Sequence, residues 1–113
     1  EIEWDQVALR CGYPADLPPL MEITTTTKLP RRVFEFSLRR FQHAVRVCRP
    51  DVLCLQFANY VDWGVCGVSD PKLISIRVRR VAKYLEALSG GVPVEYIGTG
   101  PDQEEMVDLS ANV

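Results

Sequence analysis

Apolar residues recur at helical spacing in three stretches of the chain. In residues 3–11 (EWDQVALRC), Trp4, Val7, Ala8 and Cys11 fall at i, i+3, i+4 and i+7, which predicts a short amphipathic helix. Gly12 is its stop, because glycine takes the left-handed conformation that closes helices. A second helix is predicted in FSLRRFQHAVRVC, with Ser37 as N-cap and Leu38, Phe41, Ala44, Val45 and Cys48 as its apolar stripe. Arg39, Arg40, His43 and Arg46 occupy its other side, and Pro50 ends it. The third starts at a cap on Ser69 or Asp70, takes Pro71 into its first turn and runs to Ser89. Its stripe is Ile74, Val78, Val81, Leu85 and Leu88, and Gly90 and Gly91 stop it.

Shorter periods mark the strands. MEITTTT (21–27) is β-branched and alternating, so it reads as a strand or a strand leading into a loop, with Pro30 in the following KLPRR breaking its pairing. DVLCLQF (51–57) is a near-continuous apolar run of the kind buried on both faces of an α/β sheet. VPVEYIG (92–98) is another strand, and EMVDL (105–109) a last one. YPADLPPL has three prolines within six residues, which forbids regular structure there. The order α-β-α-β-α-β-β predicts a small α/β (α+β) unit spanning residues 1–113.

Composition narrows the class. The chain has 113 residues, 47% hydrophobic and 25% charged, which is ordinary for one globular domain and excludes intrinsic disorder. No apolar run approaches the ~18 residues that span a bilayer. A net charge of -2 gives no support to nucleic-acid binding. The start, EIEWDQ, is acidic and lacks Met, so it resembles neither a signal nor a transit peptide. Cys11, Cys48, Cys54 and Cys66 show no metal-binding spacing. Cys48 and Cys54 fall at apolar positions, which favours reduced, structural thiols in a cytoplasmic protein.

Charge is clustered. Between Lys28 and Arg49 stand seven basic residues and one acid, whereas the stretch from Glu95 onward holds five acids and no base. A basic block in an acidic chain suits a small anion better than a nucleic-acid groove. TTTTKLPRR (24–32) concentrates hydroxyls and paired arginines, the groups that bind carboxylate or phosphate. The same stretch is also compatible with an edge strand and a solvated basic turn. GTGPD (98–102) is a tight turn that can bring backbone amides near a ligand, and equally an ordinary turn. His43 sits among arginines without a local partner and reads as a solvated residue.

These stretches, in this order, resemble the C-terminal part of the adenylosuccinate synthetase family. YLEALSGGVPVEYIGTGPD resembles the family's terminal helix, Gly-Val-Pro strand and Ser-Thr-Gly-Pro-Asp turn; TTKLPRR resembles its Thr-Thr-Gly-Arg-x-Arg-Arg aspartate loop; LCLQFANYVD resembles its strand ending in Thr-Lys-x-Asp. The resemblance covers about residues 21–109. It implies a purine-nucleotide ligase whose substrate- and base-binding C-terminal subdomain is this chain. Thr26, Thr27, Lys28 and Arg31 would then bind aspartate and nucleotide; Gln56, Phe57, Asn59, Gly98, Gly100 and Pro101 would bind the base of the triphosphate. The family's phosphate loop, catalytic Asp and His have no counterpart here, and His43 does not match, so the chain alone is not expected to catalyse. Magnesium and a homodimer are expected of the parent enzyme.

Departures from the family pattern indicate a branch. Asn59 stands where the family has the Asp that receives two guanine donors; a carboxamide offers a donor and an acceptor, compatible with adenine. Phe57 replaces the Lys beside the base. Lys28 and Leu29 replace the loop's Gly-Arg, an Arg expected to reach the ribose 2′-hydroxyl, and its loss suits a deoxynucleotide. In another register Lys28 stands in for that Arg. Gly98 replaces a Ser. The resemblance therefore points to the bacteriophage branch, which joins L-aspartate to dGMP with ATP or dATP on the way to diaminopurine DNA, in the host cytoplasm. An ordinary synthetase using IMP and GTP, or a non-catalytic anion- or nucleotide-binding module, is the alternative.

Overall fold

A computed structural model describes residues 1–100 and 104–109. Three α-helices and three strands are found among them: α1 (Trp4–Cys11), α2 (Leu38–Cys48), β1 (Leu53–Leu55), α3 (Ile76–Leu88), β2 (Val94–Gly98) and β3 (Met106–Asp108). Short 3-10 turns lie at Ala58–Tyr60, Trp63–Val65 and Pro71–Leu73. The result is a small mixed α/β unit.

Helix ends follow local chemistry. α1 carries a reciprocal cap between Glu3 and Gln6, and Gly12 closes it at φ 76°. Ser37 caps α2 by accepting from the Arg40 amide. The third helix differs from the expected single run. Asp70 caps only the turn Pro71–Leu73, Ile74 then dips into the core in an extended conformation, and Ser75 caps a new helix. Two good caps five residues apart split the segment, because each offers its own oxygen to a different set of free amides.

β1 and β2 pair in parallel through the α3 crossover, with Leu53 opposite Val94 and Leu55 opposite Ile97. β3 then pairs antiparallel with β2, placing Val107 opposite Ile97. α3 lays Val78, Ala82 and Leu85 on this sheet at i, i+4 and i+7. With Val65, Ile74, Val94, Ile97 and Val107 they form the core.

Two expected strands change. The 51–57 run is paired only at Leu53–Leu55, and it forms an edge of the order β1-β2-β3 rather than a strand buried on both faces. Cys54 is accordingly exposed, as is Cys48, so neither serves the chain's own core. All four thiols are free, and burial pushes that of Cys11 above its usual range. Residues 21–27 form no strand. They fold back as a minimal hairpin with one bridge, Ile23 to Pro30. The Thr24 amide donates to Leu29 O (2.9 Å) and the Arg31 amide to Glu22 O (2.7 Å). Pro30 therefore does not break the pairing: it occupies a position where no amide is required. α2 buries none of its residues fully, although Phe41 touches the core.

Ser75 also faces Asp62. Its hydroxyl is the main cause, with the Gly64 amide (3.0 Å), that holds the Asp62 carboxyl below the usual range. Ser75→Ala is expected to cost about 1 kcal/mol at neutral pH, read by thermal melting of the full-length protein. A carboxylate with a lowered folded value adds stability above its unfolded value and loses it as pH falls through the folded one. The gap between Ser75→Ala and wild type should therefore narrow in acid.

Candidate functional site

The chain turns sharply after β1. Phe57 adopts φ 61°, a left-handed conformation costly for a bulky residue, and this swings its ring outward. The 3-10 turn that follows has three residues per turn, so side chains three apart eclipse. Phe57, Tyr60 and Trp63 stack in consequence, with ring centroids 5.8 Å and 6.3 Å apart and planes within 5° and 16° of parallel. Trp4 of α1 meets Tyr60 edge-on at 5.6 Å. The spacing of three was legible in FANYVDW, but it announces an aromatic stack only once a 3-10 turn is assumed.

Phe57 and Tyr60, with Trp4, wall an open cavity of about 590 Å³. Arg31, Arg32, Glu22 and Phe34 line another side, and α1 contributes Arg10. Arg31 pairs with Glu22 (Nε to Oε1, 3.6 Å), Arg10 with Glu35 (2.6 Å) and Arg32 with Glu1 (3.0 Å). Arg32 also lies over the Phe34 ring at 5.0 Å. The basic block does not converge as a whole: Arg39, Arg40, Arg46 and Arg49 lie exposed on or beside α2 and do not line the cavity.

The residues singled out by sequence divide into three groups. Arg31, Gln56 and Phe57 share the cavity. Thr26, Thr27 and Lys28 lie outside it on the exposed tip of the hairpin, where Thr24 and Thr27 hydroxyls share a hydrogen bond of 2.5 Å and Lys28 takes φ 54°. Asn59, Gly98 and Gly100 do not line it: Asn59 is buried within the 3-10 turn Ala58–Tyr60, Gly98 ends β2 and Gly100 follows two residues on. Pro101 lies outside the described residues.

Gln56 joins the first and third groups. A Cβ built on Gly98 would collide with Gln56 Oε1, so a side chain at position 98 and this placement of Gln56 exclude each other. Gln56 Nε2 in turn donates to Cys54 Sγ (3.2 Å). Gly100 has the same constraint against the Glu105 carboxylate.

Asn59 is only 7% exposed, and its Oδ1 is buried without a hydrogen-bond partner among the described residues. Buried polar atoms are normally paired, and an orphan costs about 1–3 kcal/mol. Among the described residues no group of three His, Cys, Asp or Glu comes together to hold a metal ion, and no step through magnesium is assigned to them. No described helix is long and apolar enough to cross a membrane.

Thr99 lies between the two glycines, in the turn that resembles the family's. It is fully buried; its hydroxyl donates to Val68 O (2.6 Å), and its amide to Glu105 O (2.9 Å). Thr99→Val keeps the shape but leaves the Val68 carbonyl unpaired. It is expected to cost about 1–2 kcal/mol, measured as a lowered melting temperature.

An aromatic wall beside arginines, with an unpartnered buried amide oxygen close behind it in the chain, suits a flat heterocycle and an anion. No protein-family model matches the chain. The chain is nevertheless homologous to one region of adenylosuccinate synthetases and of their phage relatives. It is 33% identical over 110 residues to the N6-succino-2-amino-2′-deoxyadenylate synthase of Salmonella phage PMBT28, covering 96% of this chain and 26% of that protein. It is 35% identical over 101 residues to the synthase of the same name from Acinetobacter phage SH-Ab 15497, covering 88% and 20%. The adenylosuccinate synthetase of Thermococcus sibiricus is 29% identical over 94 residues, covering 83% and 27%. The chain thus spans about a quarter of the length of the relatives it matches.

Proposed function

We propose that the full-length gene product carrying this sequence is a purine-nucleotide ligase of the phage type. It joins L-aspartate to C6 of dGMP with hydrolysis of ATP or dATP, and this portion binds the aspartate and the base of the triphosphate. The likeness to the phage synthases over most of the chain supports the reaction class.

The observation that carries the assignment of the triphosphate is the orphaned Oδ1 of Asn59. Adenine presents an amino donor beside a ring acceptor, and a carboxamide complements both. Guanine presents two adjacent donors on its N1 and N2 edge, which a carboxylate complements better. The buried oxygen accepts the adenine amino group once the side chain or its neighbours rotate to admit the base. Phe57 supplies a stacking face, and Gln56, lodged against Gly98, supplies a second amide at the rim. On the other side Arg31 offers a planar, permanently charged fork to the carboxylates of aspartate.

The test is nucleotide dependence in the full-length protein. Aspartate-dependent turnover with ATP or dATP and dGMP, and little with GTP and IMP, is the expected outcome. Turnover with GTP and IMP alone would make it an ordinary adenylosuccinate synthetase. Nucleotide binding without turnover on either pair would reduce it to a binding module.

A further inference from the structure

We propose that Glu22 and Tyr60 are positioning residues that set the Arg31 guanidinium for an incoming carboxylate and tie the hairpin that carries it to the base-binding turn. The proposal rests on the reading of Arg31 as the group that binds aspartate.

A hairpin with a single bridge is too small to hold its own geometry. Its neck is fixed from outside by two hydrogen bonds. Tyr60 Oη donates to Glu22 Oε2 (2.5 Å), and Trp4 Nε1 donates to Arg31 O (2.8 Å). Burial and the Glu22 carboxylate push the Tyr60 phenol well above its usual range, so it remains a donor throughout the neutral region.

With one oxygen held by Tyr60, Glu22 directs the other, Oε1, at Arg31 Nε, 3.6 Å away. Engagement at Nε orients the guanidinium plane while its terminal nitrogens keep the two-pronged face that a carboxylate takes bidentately. Arg31 is half-exposed, so without this pair its long side chain would sample many rotamers, each lost again on binding.

Tyr60 also stacks on Phe57 and follows Asn59 in the same 3-10 turn. A base that moves this turn moves the phenol, and through Glu22 the guanidinium.

The experiment is steady-state kinetics on the full-length protein, varying aspartate at saturating nucleotides, beside melting curves for each variant. Tyr60→Phe keeps the ring stack and removes the hydroxyl. It is expected to raise the aspartate KM on the order of tenfold, with kcat and the triphosphate KM within about twofold of wild type. Glu22→Gln retains an acceptor for Tyr60 and should raise the aspartate KM less than Glu22→Ala. An unmoved aspartate KM in Tyr60→Phe overturns the proposal alone, provided the wild type turns over. So does a parallel rise of aspartate and triphosphate KM with a lowered melting temperature, which marks a purely structural role. Absence of aspartate-dependent turnover in the wild type overturns the underlying reading, and the proposal with it.

Discussion

Asn59→Asp is expected to reverse the triphosphate preference, lowering kcat/KM with ATP and raising it with GTP. The substitution is nearly isosteric, so packing is kept while the hydrogen-bond pattern changes from donor-plus-acceptor to acceptor-only. Against adenine the new carboxylate loses its donor and faces the ring nitrogen lone pair, a repulsive pair in a buried site. Against guanine it receives two donors. A mismatched buried polar contact costs about 1–3 kcal/mol on each side of the comparison, so the ATP-to-GTP ratio should swing on the order of a hundredfold or more. With no ligand bound, the buried charge should also lower the melting temperature, because Asn59 is only 7% exposed. Identical nucleotide ratios before and after the change would refute the base-reading role. A melting shift alone would leave Asn59 as a core residue.

Arg31→Ala is expected to raise the aspartate KM by about 10- to 100-fold, from the loss of a charged, two-pronged contact worth about 1.5–3 kcal/mol. The effect should be confined to aspartate, since Arg31 lines the cavity whereas Asn59 does not. Its main-chain contacts, the amide to Glu22 O and the carbonyl to Trp4, survive the substitution and should keep the hairpin folded. Arg31→Lys should recover little, because an ammonium lacks the planar fork. Initial rates against aspartate concentration check this; an unchanged aspartate dependence would contradict the assignment.

The legible parts of the molecule were those whose cause lies within a few residues. Val78 and Leu85 enter the core from α3 where the period of 3.6 put them, while Ile74 reaches the core from the extended residue before the helix. β2 and β3 appear inside the predicted runs, and Gly12 and Ser37 end and begin their helices as expected. The misreadings share a different cause. The Thr-rich segment has strand propensity, but a strand needs a neighbour, and Thr24 closes on Leu29 instead. The 51–57 run has the composition of a central strand, yet among the described residues only one neighbour pairs with it. The Ser75 cap is masked in the sequence because the apolar stripe runs across the break.

The candidate site was legible as residue types and illegible as an arrangement. The TTKLPRR and QFAN segments both stood out, but nothing local says that Arg31, Gln56 and Phe57 share one cavity while Thr26, Thr27 and Lys28 do not. Arg10, Glu22 and Tyr60 carried no signal of their own, since each acquires its role from a partner at least 25 residues away.

By itself, then, the sequence determined the elements, the main core stripe and the family resemblance, because periodicity, caps and short motifs are written in neighbouring residues. Tertiary structure alone decided that Gln56 fills the space beside Gly98, that Asn59 is buried with an oxygen unpaired among the described residues, and that Tyr60 holds Glu22 toward Arg31. Those are properties of which distant segments meet and which atoms water is kept from. Hydrogen-bond satisfaction and burial are settled by the packed chain as a whole.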